Sequence, residues 1–414
     1  MISDRFYTSM DIMALDINSE YLGVSRHKLM ENAGASVANY VREKYPKINK
    51  VLIIAGLGNN GGDGFVAARH LSRYYEVYVD LIGESSRIRT EEARENFDAL
   101  KRMEYSIRIT ENATIDEVEE HVKMVDLIVD AILGTGVKGE LREPVKSIVS
   151  IINNSGKPVI CVDTPTGLDP TTGRICGSSV KANATITFHG IKRGFVGREE
   201  YTGEVIISNI GIPFEAEILV GPGDFEVIKR LEIIKSNITV GISNHSELEL
   251  REDIRRILTE KGISFKTMDL SDKYVDVAVI LTPEISKERI ASIKRNSALQ
   301  IVSCVSLEDI HEYISAIGPA VYLVKVDNIE ISRELFSNMS DLSRLSKENN
   351  FRPIILYSSG NKGVLIASNR WIKFGVIEER RLNEWILASS ILSIALNDEL
   401  YSYTGTLWLY REEG

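Results

Sequence analysis

The residues of this chain whose types and spacing could do chemistry fall into three clusters, each an apolar run that ends in a polar or glycine-rich turn. The first is Val51-Leu52-Ile53-Ile54-Ala55-Gly56-Leu57-Gly58-Asn59-Asn60-Gly61-Gly62-Asp63-Gly64, followed by a helical pattern through Phe65, Ala68 and Leu71. A strand that runs into such a turn and a helix start offers free backbone N–H groups and the positive end of a helix dipole, a setting that suits phosphate. Gly56, Gly58 and Gly61 also match the dinucleotide-binding spacing, and Asp80 ends the next strand about where a ribose-binding acid would stand. An NAD-dependent dehydrogenase is therefore one reading, and a purely structural tight turn is another. The dehydrogenase pattern does not explain Asn59-Asn60 before Gly61-Gly62-Asp63-Gly64, because a carboxylate inside a pyrophosphate loop repels the phosphates. Asp63 must either cap the following helix or contact a ligand.

The second cluster is the run 127–133 with Asp130, continuing as Gly134-Thr135-Gly136-Val137-Lys138-Gly139-Glu140. Asp130 falls at a strand's carboxyl end, where ligands bind in open α/β sheets. The third is Val159-Ile160-Cys161-Val162-Asp163-Thr164-Pro165-Thr166-Gly167-Leu168-Asp169. An isolated Asp at such a place is usually a turn or cap residue, but three strand ends that bring amide, carboxylate and hydroxyl groups to one edge point to a ligand site. The six histidines are scattered without metal-ligand spacing and read as packing or surface residues; His189, just after a strand, is the one that could face the site.

The elements that must position these groups alternate short apolar runs with longer helical patterns, the signature of a parallel sheet covered on both faces. In the first half strands are expected at 51–55, 77–81, 127–132, 159–162, 184–188 and 205–208. Ser25 is expected to cap a helix through Leu29, Met30, Ala33 and Val37, with Ala33 and Gly34 small enough for a neighbour to approach closely. A second series follows Gly221-Pro222-Gly223, with strands at 238–242, 275–281, 300–305, 321–326, 354–357 and 364–367 and helices at 251–261 and 384–396. The expected fold is a Rossmann-like, doubly wound α/β domain over residues 1–225 and a second α/β domain over 226–414. Of the 30 glycines, 22 lie in residues 1–223, so phosphate-cradling loops belong to the first half.

At 414 residues the chain exceeds what one core usually supports. A net charge of −10 argues against a nucleic-acid-coating protein, which needs clustered Lys and Arg. Three cysteines, Cys161, Cys176 and Cys304, at unrelated spacings suggest neither a disulfide framework nor a zinc set. No apolar run reaches the roughly 20 residues that span a bilayer, and the amino terminus lacks the apolar core of a secretory signal. The expectation is a cytoplasmic protein that acts on a small molecule, with no nucleic-acid or membrane partner; homo-oligomerisation is left open.

Taken together the residues resemble the NAD(P)H-hydrate epimerase family, the amino-terminal YjeF-type domain, over roughly residues 5–225. The likeness is carried by Leu29-Met30-Glu31-Asn32-Ala33-Gly34, by the motif from Gly58 to Gly64, by Asp130 with Gly134-Thr135-Gly136, by the motif from Asp163 to Asp169, and by Ala184-Thr185-Ile186-Thr187-Phe188 with Lys192 and Gly194. It implies a Rossmann-like domain that binds hydrated NADH or NADPH (NAD(P)HX), interconverts the R and S forms, and holds a potassium ion. By that likeness Asn59, Asn60, Gly61, Gly62 and Asp63, the loop Gly134, Thr135, Gly136, Val137, Lys138, Gly139 and Glu140, and Asp163 would contact substrate. Asn60, Asp130 and Thr166 would bind the ion, an all-oxygen set that suits a hard cation. Inversion at C6, which bears a hydroxyl beside N1, needs an acid and a base in turn. Asp163 is the first candidate to handle a proton, or equally to stabilise an iminium-like intermediate by charge alone; Lys138 is a candidate for substrate charge or protonation.

In that family the domain is often fused to a ribokinase-like dehydratase that uses ADP or ATP. The run 351–367, with Lys362-Gly363, resembles a strand, Lys-Gly turn and strand of that dehydratase. The Gly-rich anion hole and its Asp, expected near 378–384, are absent, so residues 226–414 read as a degenerate relative. Three function classes stand side by side: an epimerase with a degenerate companion domain, a bifunctional epimerase and dehydratase, and a noncatalytic nucleotide-binding protein.

Overall fold

Strand β1 (Lys50–Ala55) is buried on both faces, as its unbroken apolar run requires. Val51, Ile53 and Ala55 enter one core, shared with Val37 and Phe65, while Leu52 and Ile54 enter another, shared with Val118, Val122, Ile148 and Ile152. This alternation is what a strand between two helical layers must show. The computed structural model describes residues 6–136, 139–242, 250, 252–269, 274–280, 293, 297–305, 310, 314, 320–326, 329, 349, 352–358, 362–368, 372–378 and 381–410. The chain divides into two units, Met1–Pro213 and Phe214–Gly414.

The first unit opens with α1 (Ser9–Tyr21) and α2 (Arg26–Lys44) ahead of β1, then α3 (Asn59–Leu71), β2 (Glu76–Leu81), α4 (Glu91–Lys101), β3 (Ile107–Glu111), α5 (Ile115–Met124), β4 (Leu127–Ala131), α6 (Val145–Asn154), β5 (Val159–Val162), β6 (Ala184–Phe188), α7 (Glu199–Thr202) and β7 (Glu204–Ser208). The strands form one parallel sheet in the order β3-β2-β1-β4-β5-β6-β7. The order reverses between β1 and β4, so the crevice for a ligand opens at their carboxyl ends. The expected doubly wound architecture is present.

Two helix starts of the first unit carry a reciprocal capping box. Thr8 caps α1 in a reciprocal box with Asp11, and Thr114 does the same for α5 with Glu117. Ser25 stands at the start of α2 as expected, but its side chain makes no capping bond. The close approach expected at Gly34 is real: a Cβ there would collide with Val66 Cβ of α3. Glycine at this position is what lets α2 and α3 pack in contact.

The second unit holds α8 (Phe214–Ile218), α9 (Pro222–Arg230), β8 (Asn237–Ile242), α10 (Glu252–Glu260), β9 (Ser264–Asp269), β10 (Val275–Ile280), β11 (Ser297–Val305), β12 (Val321–Lys325), β13 (Ile354–Tyr357), β14 (Gly363–Ala367), β15 (Ile372–Val376), α11 (Leu382–Leu396) and α12 (Glu399–Tyr410). Its sheet order is β15-β14-β13-β12-β11-β10-β8-β9, with every strand parallel except β14, which runs antiparallel to both its neighbours, β13 and β15. Within it, buried Lys373 pairs with buried Asp224 at 3.3 Å. Leu281, Phe351, Gly360 and Arg380 lie outside the described residues. Among the described residues no helix is long and apolar enough to cross a membrane.

Candidate functional site

A cleft of about 370 Å³, within the range of small-molecule sites, opens at the carboxyl ends of the first unit's strands. The turn after β1 is drawn tight against β4: Gly56 N–H bonds the Ala131 carbonyl at 3.0 Å, and a Cβ on Gly56 would strike the Ile132 carbonyl. The chain then enters α3 directly. Its first backbone bond runs from Gly62 N–H to the Gly58 carbonyl at 3.1 Å, so the amides of Asn59, Asn60 and Gly61 are the helix's unbonded donors. With the dipole behind them they can hold an anion.

Asp63 is the fifth residue of α3, and Gly58 is the N-cap, so the capping role considered for Asp63 is ruled out. It lines the cleft instead. Burial, then the nearby Asp163, Asp16 and Glu92 carboxylates, push its carboxyl well above the usual carboxylate range, with Lys192 opposing. Asn60, also on the cleft wall, is 9% exposed, and its Nδ2 has no hydrogen-bond partner. Asn59 Oδ1 accepts from Thr90 Oγ1 at 2.7 Å. Gly134, Thr135 and Gly136 line the cleft opposite this helix start; a Cβ on Gly134 would sit 2.8 Å from Asn60 Oδ1. Gly61 and Gly62 are buried in α3, where Gly62 packs on Met30. Gly139 and Glu140 are exposed and are not among the lining residues; Val137 and Lys138 lie outside the described residues.

Asp163 has a left-handed backbone, φ 57°. That conformation is costly for a non-glycine residue and is held only where surroundings enforce it. Here they do. Its Oδ1 accepts from Lys192 Nζ at 2.7 Å, Phe188 N–H at 3.1 Å and Thr187 Oγ1 at 3.2 Å. Lys192 is wholly buried and also donates to Thr187 Oγ1 at 2.9 Å and the Phe188 carbonyl at 3.0 Å. A lysine buried this way is tolerable only because a carboxylate and three further acceptors, the third being the Gly190 carbonyl at 3.5 Å, surround it.

Asp130 is wholly buried below the cleft. Its carboxylate accepts from Thr166 Oγ1 at 2.7 Å, Thr166 N–H at 2.8 Å, Cys161 Sγ at 3.2 Å and Ile132 N–H at 3.3 Å. Burial raises its carboxyl's pKa against these bonds. Thr166 Oγ1 in turn accepts from Leu133 N–H at 3.0 Å and lies 3.3 Å from the Leu133 carbonyl. Among the described residues no group of three or more His, Cys, Asp or Glu is placed to hold a metal.

Asp80 does not face the cleft as a ribose-binding acid would. It is buried, and His121 of α5 bonds its carboxylate at 2.8 and 3.0 Å. His189 does line the cleft. Five residues were missed from the sequence: Lys192 as the partner of Asp163, and Asp16, Arg26, Arg89 and Glu92 as cleft-lining charges. For Asp16 a local signal existed, because Thr8 and Asp11 spell the capping box that starts its helix.

The amino-terminal half of the chain is similar to known proteins. The family described as YjeF-related protein N-terminus matches residues 26–194. The chain is 43% identical over 204 residues to an NAD(P)H-hydrate epimerase of Cenarchaeum symbiosum, covering 49% of this chain and 93% of that one. To a bifunctional NAD(P)H-hydrate repair enzyme of Pyrobaculum aerophilum it is 44% identical over 224 residues, 53% of this chain. It spans only 44% of that relative's length. A yeast protein of solved structure is similar at 31% identity with a TM-score of 0.42, over 48% of this chain and 86% of its own. Through its amino-terminal unit, the chain belongs to the NAD(P)H-hydrate epimerase family.

Proposed function

We propose that the amino-terminal unit interconverts the R and S forms of hydrated NADH and NADPH, an isomerase activity in nicotinamide cofactor repair. The observation that carries this reading is Asp163 clamped by buried Lys192 in the same cleft as the Gly-rich start of α3. The amides of Asn59, Asn60 and Gly61, with the 134–136 loop facing them, hold the pyrophosphate. The hydrated ring then lies against Asp163. With a proton delivered to the C6 hydroxyl by an acid of the cleft, ring nitrogen expels it as water and leaves a cationic iminium; water returns to the other face and gives up a proton to a base. The Asp163 carboxylate on the cleft wall favours that cationic ring over the neutral one.

The residues present fit a potassium ion. Asp130 is a buried carboxylate with no cationic side chain among its hydrogen-bond partners, the Thr166 hydroxyl that donates to it lies 3.3 Å from the Leu133 carbonyl, and the Asn60 amide oxygen stands beside Gly134. One carboxylate among neutral oxygens suits a hard monovalent cation. Bound there, the ion would offset the Asp130 charge and hold Asn60 at the start of α3. Buried free thiols at Cys161 and Cys176 agree with a reducing, cytoplasmic setting.

The test is incubation of purified full-length protein with R-form hydrate while the epimer ratio is followed by chromatography, with and without ADP or ATP. Approach to an equilibrium R and S mixture without nucleotide supports the reading.

A further inference from the structure

Inversion at C6 needs one group to give a proton to the departing hydroxyl and another to take one from the returning water. Asp163 supplies one such group, and its Oδ1 is occupied by Lys192, Thr187 and Phe188 N–H. Three other carboxyls line the cleft. Asp63 is set within α3, and Glu92, in the first turn of α4, is 6% exposed. Asp16 differs from both: it is partly exposed and stands on α1, an element separate from the strand ends that carry Asp163. The cleft is built to receive a polar ligand, because Asn60 Nδ2 and Glu92 Oε1 on its wall are buried without a hydrogen-bond partner.

We propose that Asp16 is the second proton-handling residue of the epimerisation, acting from α1 as Asp163 acts from the end of β5; this rests on the epimerase reading above. In one direction the Asp16 carboxyl proton passes to the C6 hydroxyl. The C6–O bond breaks, the N1 lone pair forms the C6=N1 bond, and water and an Asp16 carboxylate result. Water then adds to C6 from the other face, the C=N pair returns to N1, and Asp163 takes the surplus proton. The net change is inversion plus one proton moved from Asp16 to Asp163, which solvent returns. In the opposite direction the two carboxyls exchange roles.

Asp16 is suited to carry that proton near neutral pH. Desolvation of its half-buried carboxyl, with the Asp163 and Glu92 carboxylates, pushes it up to about 7 against the pull of Arg26 and Lys192. Asp63 is the remaining carboxyl that it faces.

The experiment compares wild type, Asp16→Asn and Asp16→Glu as full-length proteins from pH 5.5 to 9, with R-form NADH hydrate as substrate and the epimer ratio as readout. In Asp16→Asn, kcat should fall about 100-fold or more with KM within about threefold. The wild-type pH limb near 7 should vanish, and Asp16→Glu should recover part of kcat. Wild-type kcat and an unchanged pH profile in Asp16→Asn would overturn the Asp16 assignment alone. An inert wild-type chain would instead overturn the epimerase reading and this proposal with it. Thermal melts of each variant separate misfolding from lost chemistry.

Discussion

Lys192 Nζ lies 2.7 Å from Asp163 Oδ1, with the lysine wholly buried and the aspartate in a left-handed backbone conformation. Each member makes the other tolerable, so each should be expensive to remove. Asp163→Asn should abolish epimerisation, because an amide neither accepts the proton nor stabilises the cation. It also leaves the Lys192 ammonium buried without a counter-charge, a loss of about 3–5 kcal/mol. Lys192→Met should cost a similar amount and lower kcat at least about tenfold, with KM changed less. Urea unfolding alongside steady-state kinetics checks both. A Lys192→Met protein as stable and as active as wild type contradicts the pair's importance.

Asp130 links the proposed ion site to the substrate loops through Thr166 and Leu133. Asp130→Ala should weaken potassium and substrate binding together and strand the Thr166 N–H and hydroxyl donors below the cleft. Potassium titration followed by calorimetry, and anomalous scattering from a thallium-soaked crystal, check the site. Absence of any monovalent cation beside Asn60, Asp130 and Thr166 would sink it.

The raised carboxyls of Asp16 and Asp63 set a sign for stability against pH. Unfolding returns each to its ordinary value near 3.8. Above that value, up to about 7 for Asp16, the folded chain binds more protons than the unfolded one, so both groups make stability fall as pH rises. Asp16→Asn should therefore leave the melting temperature at pH 4 nearly unchanged. At pH 8 it should raise stability by about 1 kcal/mol, or Tm by about 2–4 °C. A variant that is destabilised at pH 8 relative to wild type would reverse this sign.

The second unit is expected to lack ADP-dependent or ATP-dependent dehydratase activity. After Gly363 the glycines are Gly375, Gly405 and Gly414. Gly375 lies inside β15, and Gly405 lies inside α12, where a Cβ would press on Ile228 and the Asp224 carbonyl of α9. Both serve packing; neither opens a helix toward phosphate. Supplying S-form hydrate with ADP or ATP to the full chain, and watching the reduced-nicotinamide absorbance, tests this. Nucleotide-dependent recovery of that band would refute it.

Much of the site could be read along the chain because its parts are local. A β-branched run, a glycine turn and a helix start announce the phosphate end, and the paired small residues of α2 announce its contact with α3. What escaped was long-range or masked by polarity. Lys192 reaches Asp163 across 29 residues, and nothing near Lys192 marks it as buried. Helix α1 carries buried Asp11, Asn18 and Ser19 on its inner side, which breaks the apolar stripe that would have revealed it and with it Asp16. Strand β3 lies at the sheet edge with one buried residue, so its pattern is too polar to stand out. Asp80 misled for the opposite reason: it sits at a plausible strand end, but its partner is His121, 41 residues on.

The most direct test of the central claim follows R-form NADH hydrate exposed to the purified full-length protein in potassium buffer without nucleotide, reading the R to S ratio by chromatography over time. The account predicts that the ratio relaxes to its equilibrium value far faster than in a buffer control, and that Asp163→Asn abolishes the acceleration. A folded wild-type protein that leaves the ratio drifting at the buffer rate would contradict it.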